Sequence, residues 1–172
     1  MARSEIWKDK LVLAVDDEED VLETIRDLLP ESEMTLHTAT TFEKARELLA
    51  SHSYDLVVLD IMGVRGFDLL KIASIHKLPA VMLTAHAVNP EALKKSIELG
   101  ARAYLPKDMI YSLVPFLEDV MKLSYQSVWN KALDHVGTLF NEKFGSDWRK
   151  SEEAFWDDFQ KTLSLEEGVI IK

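Results

Sequence analysis

Short, almost wholly apolar runs recur along the first two thirds of the chain, at residues 11–15, 56–60 and 80–84. A more mixed run covers 34–39, and a short one covers 103–105. Runs of this length and composition are typical of strands, and the wholly apolar ones are typical of strands buried on both faces of a sheet. The pattern therefore predicts five strands.

Between these runs, apolar residues recur at spacings of three and four, which predicts helices at about 21–29, 41–49, 67–75 and 90–99. Thr40 or Thr41 is a suitable N-cap for the second helix, and Asn89 for the fourth. A final helix begins between Asp108 and Pro115 and can run on through Val120 and Met121 into the tail. Regular alternation of strand and helix predicts an α/β fold with a doubly wound five-stranded parallel sheet and right-handed crossovers, although strand order does not follow from the pattern.

The strand pattern stops after Met121, which predicts an α/β domain over residues 1–121 and a helical extension over 122–172. Apolar residues between 128 and 144 have helical spacing and predict one amphipathic helix that ends near Gly145. A second helical segment follows Ser151. Two short helices are marginal by themselves, so we expect the extension to pack on the sheet domain or to mediate dimerisation. Large apolar residues of that second helix share one face, at Phe155, Trp156, Phe159 and Leu163.

Composition narrows the functional class. The formal net charge is −10, which argues against binding to DNA or RNA, because affinity for phosphate backbones comes mainly from lysine and arginine. The chain has no cysteine, its first residues lack the apolar core of a signal peptide, and no apolar run approaches the roughly 20 residues of a spanning helix. We therefore expect a soluble cytoplasmic protein without a membrane partner.

Polar side chains follow three of the predicted strands. Asp16 and Asp17 follow the first, Asp60 closes the third, and Thr84 closes the fourth, while Lys107 comes just after the last strand. In a parallel sheet the carboxyl ends of the strands meet at one edge, where ligands bind. Converging carboxylates are relieved by protonation or by a divalent cation, and oxygen ligands suit Mg²⁺. A carboxylate, a metal, an ammonium group and a hydroxyl together suit phosphoryl transfer.

These residues, in this order, resemble the landmarks of the receiver domain of two-component response regulators, which has a flavodoxin-like fold. The resemblance covers about residues 10–120. It is carried by Val15-Asp16-Asp17-Glu18, Asp60, Thr84-Ala85 and Tyr104-Leu105-Pro106-Lys107.

The resemblance implies a role for each matching residue. Asp60 would be the phosphoacceptor, and Asp17, Asp60 and the backbone carbonyl of Met62 would bind Mg²⁺, with Asp16 supporting the metal through water. Lys107 would pair with the phosphoryl oxygens and Thr84 would donate its hydroxyl to them. Tyr104 would turn inward and couple the site to the surface formed by the fourth helix, the last strand and the last helix.

The same resemblance implies partners. A histidine kinase or a phosphotransfer protein would donate the phosphoryl group, and a downstream protein would receive the signal through direct contact, with a homodimer as a further expectation. Such a protein is not a dedicated enzyme, and it catalyses at most its own phosphorylation and dephosphorylation.

The chain departs from the family pattern at three places. The loop after Asp60 is shorter than usual and lacks a methionine-proline step, Lys107 is followed by Asp108 instead of a proline that enforces a cis peptide, and His86 occupies a position that tunes phosphoryl lifetime in the family. A phosphorylation-independent interaction module, a pseudo-receiver, is therefore an alternative.

A second alternative is an aspartyl-phosphate phosphatase of the haloacid dehalogenase type. That family has its nucleophile on the first strand and a second aspartate two residues later, whereas the residue two after Asp60 is Met62. His135 lacks the lysine-glycine context of a histidine phosphotransfer site, and we interpret it as an ordinary histidine on a helix surface.

Overall fold

The structure is a computed structural model that describes the backbone of residues 3–85 and 89–169 and the side chains of residues 5–85 and 89–164. Its five parallel strands have the order β2-β1-β3-β4-β5. This confirms the predicted doubly wound sheet and supplies the order that the sequence left open. The strands are β1 (Leu11–Val15), β2 (Thr35–Ala39), β3 (Leu56–Leu59), β4 (Ala80–Thr84) and β5 (Ala103–Pro106).

The helices that connect and flank the strands lie close to their predicted positions. Thr41 caps α3 by accepting a hydrogen bond from the Lys44 N–H at 3.2 Å, and Asn89 caps α5 by accepting one from the Ala92 N–H at 2.8 Å. The helices are α1 (Arg3–Trp7), α2 (Glu19–Leu28), α3 (Phe42–Ser51), α4 (Gly66–Ile75), α5 (Pro90–Glu98), α6 (Leu113–Lys122), α7 (Tyr125–Phe144) and α8 (Glu153–Val169), with 3-10 turns at Lys107–Ser112 and Lys150–Glu152.

The N-terminal helix α1 was not predicted, because the first ten residues have the charged composition of a solvated leader. Trp7 at its end is fully buried, and its indole N–H donates a hydrogen bond of 2.8 Å to Glu118 on α6. A tryptophan in an otherwise charged segment was the one sequence signal for this contact. The partner, 111 residues further along the chain, could not be identified from local pattern.

The sequence pattern allowed the final helix of the α/β domain to continue into the extension, but the structure shows a break. Instead α6 ends at Lys122, Leu123 is extended with φ −94° and ψ 164°, and Ser124 begins α7 as its N-cap. The Ser124 hydroxyl accepts a hydrogen bond of 3.1 Å from the Ser127 N–H. A serine that satisfies a free N–H of a new helix favours this break.

The sheet separates two hydrophobic cores, because successive strand residues point to opposite faces. Val12, Leu56 and Val81 pack with α1, α2 and α6 on one face. On the other face, residues such as Leu13 and Tyr104 pack with α3, α4 and α5, and this core continues into α7 and α8. Within the described part of the chain, no helix is both long enough and apolar enough to cross a bilayer.

Candidate functional site

Two buried carboxylates lie side by side at the carboxyl edge of the sheet. Asp16 follows β1 and Asp60 follows β3, and the two strands are neighbours with Val15 in register with Leu59. Backbone hydrogen bonds fix both residues, since the Asp16 N–H donates to the Ala39 carbonyl at 3.1 Å and the Asp60 N–H to the Val15 carbonyl at 3.0 Å. The side chains retain only 2% and 1% of their exposure, so the predicted convergence is present.

Lys107 extends from the end of β5 into this pair of carboxylates. Its Nζ lies 2.7 Å from Asp16 Oδ2, 3.2 Å from Glu18 Oε1 and 3.5 Å from Asp60 Oδ1. The described residues contain no cis peptide bond. Lys107 thus reaches Asp60 although the residue after it is Asp108 and not proline.

Burial sets the protonation behaviour of the site. Burial, together with the neighbouring Asp16 charge, raises the pKa of Asp60 from 3.8 to about 6, against the opposing effect of Lys107. Burial likewise raises the pKa of Asp16, against the hydrogen bond from Lys107. Burial lowers the pKa of Lys107, but the hydrogen bond with Asp16 and the surrounding carboxylates outweigh it, so the net pKa of Lys107 is raised. Asp60 is therefore mostly ionised at pH 7, and its buried charge lowers the stability of the fold.

Three buried polar atoms at the centre of the site have no hydrogen-bond partner within the described residues. Both carboxylate oxygens of Asp60 and the hydroxyl of Thr84 lack a hydrogen bond within the described residues, and the 3.5 Å approach of Lys107 is an ion pair without one. Leaving such atoms unsatisfied costs free energy, which an incoming ligand recovers. The centre of this site is therefore suited to a group that brings its own donors or a metal.

Tyr104 lies behind the site on β5 and is fully buried. It is paired in register with Met82 on β4, two residues before Thr84. Burial raises the pKa of the Tyr104 phenol above its ordinary value, and a backbone hydrogen bond with Asn89 partly offsets that shift. The position connects the end of β4 to the start of α5.

A cluster of oxygen ligands flanks Asp60. Carboxylate oxygens of Asp16, Asp17 and Glu18 lie within 4.8 Å of one another and could hold a metal ion. Glu18 was not predicted as a ligand, although it directly follows Asp16 and Asp17 in the sequence. Together with the unpartnered oxygens of Asp60, these hard oxygen donors fit Mg²⁺.

The shortened loop after Asp60 packs against Asp17. Gly63 has φ +84°, and a Cβ added there would collide with the Asp17 carboxylate. The Gly66 N–H donates to the Ile61 carbonyl at 2.9 Å, which closes the loop directly before α4. The side chain of Met62, whose carbonyl the sequence assigned to the metal, is 53% exposed. The loop therefore forms one wall of the acidic cluster.

Two histidines considered in the sequence lie elsewhere. His86 falls outside the described residues. His135 is exposed on α7, with its Nδ1 3.0 Å from the Lys131 carbonyl, as expected of an ordinary histidine on a helix surface.

Comparison with known families and proteins agrees with this geometry. A family model described as the response regulator receiver domain matches residues 12–113. The chain is 36% identical over 101 residues to the two-component response regulator ARR12 of Arabidopsis thaliana, covering 56% of this chain but 17% of that protein. It is 29% identical over 170 residues to the regulatory protein VanR of Enterococcus faecium, covering 94% of this chain and 70% of that protein. The chain thus spans less than a fifth of the length of the first of these curated relatives.

Solved structures show the same fold. The receiver domain of NtrX from Brucella abortus aligns with a TM-score of 0.57 and 29% identity, over 66% of this chain and 99% of that one. A CheY-like receiver domain protein from Methanospirillum hungatei aligns with a TM-score of 0.56 and 22% identity, over 67% of this chain and 98% of that one. Both similarities extend over about two thirds of the chain.

Proposed function

Because the chain belongs to the response regulator receiver family of two-component systems, we propose that it accepts a phosphoryl group on Asp60 from a histidine kinase or a phosphotransfer protein. The observation that carries this proposal is the state of Asp60, which is buried and ion-paired with Lys107 while both of its oxygens lack hydrogen bonds within the described residues. Unsatisfied buried oxygens cost free energy, which supports a reactive role for this carboxylate.

The proposed reaction forms an acyl phosphate. A carboxylate oxygen of Asp60 attacks phosphorus, the bond between phosphorus and the donor's nitrogen breaks, and the electron pair of that bond returns to the donor nitrogen, which then takes up a proton. Asp60 must be ionised to attack, and a pKa of about 6 keeps it mostly ionised at pH 7. Lys107 neutralises charge on the phosphoryl oxygens, and the free hydroxyl of Thr84 donates a hydrogen bond to one of them.

Mg²⁺ is the cofactor that the donor set fits. Asp17, Asp60 and the Met62 carbonyl would hold it by the family pattern, with support from Asp16, and the clustering of Glu18 with Asp16 and Asp17 adds a further candidate ligand. When bound, the ion neutralises charge on the phosphoryl oxygens. Lys107 already forms ion pairs with Asp16 and Asp60, so this chain supplies one cationic group to these carboxylates by itself.

We further propose that residues 122–172 are a packing element of the α/β domain. Trp129 on α7 is fully buried and donates its indole N–H to the Ala101 carbonyl, just before β5, at 3.1 Å. Lys94 on α5 forms an ion pair of 2.9 Å with Glu152, just before α8. The extension therefore covers the β5 side of the sheet, so a downstream protein would meet α7 and α8 there.

Intact mass spectrometry tests the phosphoacceptor. The protein is incubated with Mg²⁺ and acetyl phosphate, as wild type, as Asp60→Asn and as Asp134→Asn, an exposed aspartate on α7 that serves as the matched control. We expect one added phosphoryl group in the wild type and the control and none in Asp60→Asn. If the wild type forms neither this adduct nor a beryllofluoride complex, the protein is a phosphorylation-independent interaction module.

A further inference from the structure

A cavity of about 370 Å³ opens at the edge of the sheet opposite to Asp60, where the strands begin. The residues immediately before four strands line it: Lys10 precedes β1, Asp55 precedes β3, Pro79 precedes β4 and Arg102 precedes β5. Residues 5 and 6 of α1 and residues 120–123 at the junction of α6 and α7 complete the wall. Its volume lies at the small end of the range for ligand sites, about 300–1,000 Å³.

The lining of this cavity is richer in cations than in anions, in a chain of net charge −10. Lys10, Arg102 and Lys122 are its basic residues, and none of them has an ion pair or a side-chain hydrogen bond within the described residues. The acidic residues of the lining are Glu5 and Asp55, and Asp55 already accepts a hydrogen bond of 2.8 Å from the Leu11 N–H. Three cationic groups are thus available to an anion.

Arg102 gives an independent sign that a ligand belongs there. Its Nε is buried and has no hydrogen-bond partner within the described residues. The backbone of Arg102 is fixed, because its N–H donates to the Ala80 carbonyl at 2.8 Å. A buried guanidinium donor without an acceptor is costly, and an anionic oxygen is its strongest partner.

The cavity is assembled largely by segments outside residues 12–113, which the family model matches. Lys10 and α1 precede that range and Lys122 follows it, so Arg102 is the one basic lining residue that lies within it. Leu123, in the same wall, is the extended residue at which the chain turns from α6 into α7. A ligand held here would contact α1 and the junction of α6 and α7 at once.

We propose that this cavity binds a compact phosphate-bearing anion through Arg102, Lys10 and Lys122. Three cationic groups from separate elements match the several oxygens of a phosphate better than the two oxygens of one carboxylate. A bound anion would contact both Arg102, which precedes β5, and Lys122, at the junction of α6 and α7. These contacts would stabilise the packing of the extension on the α/β domain. The proposal is independent of phosphorylation, because Asp60 lies at the other end of β3.

Isothermal titration calorimetry of the full chain with pyrophosphate, without Mg²⁺, tests the proposal. We expect saturable binding at one site, with affinity lowered about tenfold or more in Arg102→Gln and in Lys122→Gln. Lys143→Gln is the matched control, since Lys143 is an exposed lysine of α7 without an ion pair within the described residues. Asp60→Asn should bind as the wild type does, which separates this site from the phosphoacceptor.

Two further titrants distinguish the sources of the phosphate group. Tighter binding of ADP than of pyrophosphate identifies a nucleotide, with its nucleoside against Pro79 and Met121, and equal or weaker binding identifies an inorganic anion. The absence of saturable binding for pyrophosphate, phosphate and ADP would overturn the proposal and leave water as the partner of Arg102. An equal loss of affinity in Lys143→Gln and the two cavity variants would also overturn it, since binding would then follow overall charge.

Discussion

The proposed phosphoacceptor site and the aromatic seam of the extension are both buried, but their buried polar atoms differ in hydrogen bonding. We define the aromatic seam as Trp129, Phe140, Trp148, Trp156 and Phe159. In the seam, the Trp129 N–H donates to the Ala101 carbonyl at 3.1 Å, and the Trp148 N–H to Asn141 Oδ1 at 2.9 Å. At the site, both oxygens of Asp60 and the hydroxyl of Thr84 have no hydrogen bond within the described residues.

This difference in hydrogen bonding corresponds to different roles, stability for the seam and ligand binding for the site. Seam rings meet edge to face, with centroids 5.1 Å apart for Phe140 and Trp148 and 5.2 Å for Trp148 and Trp156, a geometry that adds to the gain from burial. The site instead holds carboxylates whose ionised forms burial disfavours. The seam therefore stabilises the fold, whereas the site retains unsatisfied groups that a ligand can use.

The largest expected effect comes from opening the seam. Trp129→Ala should lower the free energy of unfolding by about 3–5 kcal/mol, because it removes a fully buried ring and leaves the Ala101 carbonyl without its donor. Urea unfolding followed by far-UV circular dichroism measures this loss. Lys143→Ala, an exposed change on the same helix, is the control. A loss below about 1 kcal/mol would show that the extension does not share the cooperative fold.

The next largest effect is expected from removing the buried charge of Asp60, a charge that lowers the free energy of unfolding at neutral pH. Because the folded pKa of Asp60 is raised from 3.8 to about 6, its contribution to stability is fully present below pH 3.8 and is lost as the pH rises through about 6. Asp60→Asn should therefore raise the free energy of unfolding at pH 7 by about 1–3 kcal/mol and change it little near pH 4. Urea midpoints at both pH values, with Asp134→Asn as control, measure this. A pH-independent difference between the wild type and Asp60→Asn would contradict the assignment.

Smaller effects are expected from replacing two glycines, Gly63 beside the site and Gly137 in the extension. Gly63→Ala should destabilise the fold by about 1–2 kcal/mol and weaken Mg²⁺ binding about tenfold, because φ is +84° and the new Cβ would displace Asp17. Gly137→Ala in the middle of α7 meets only Arg149 Nη2 at 3.8 Å, so it should stabilise the fold by up to about 1 kcal/mol. Urea unfolding and Mg²⁺ calorimetry measure both variants. Equal signs for the two stability changes would refute the argument from backbone conformation.

The smallest expected effect is at the polar rim of the extension. Glu152→Gln removes the ion pair of 2.9 Å with Lys94, which joins α5 to the segment before α8. Because the pair is exposed to solvent and screened by salt, we expect no resolvable change in the urea midpoint at 0.15 M salt. A clear loss of stability would show that charge, and not the aromatic seam, holds the extension in place.

Local pattern was enough to predict most elements and much of the site. The predicted bounds of β1 and β4 match the structure, Thr41 and Asn89 cap the helices predicted for them, and Asp16, Asp60 and Lys107 meet at one edge. These features depend on periodicity and on residue types near the ends of elements, which sequence displays directly. Helix α1, the end of α6 at Lys122 and the clustering of Glu18 with the aspartates were missed, because each depends on contacts or conformations that local pattern does not encode.

By itself, the sequence determined the alternation of strands and helices, the side of the sheet on which polar groups gather, and the family, because these follow from apolar spacing and a few residues at strand ends. Tertiary structure alone decided the strand order, the burial of Trp7 against Glu118, and the packing of Trp129 beneath α8 and against the start of β5. It also decided which buried atoms of Asp60, Thr84 and Arg102 have no hydrogen bond within the described residues. The physical reason is that burial and hydrogen-bond satisfaction are set by residues distant in the chain.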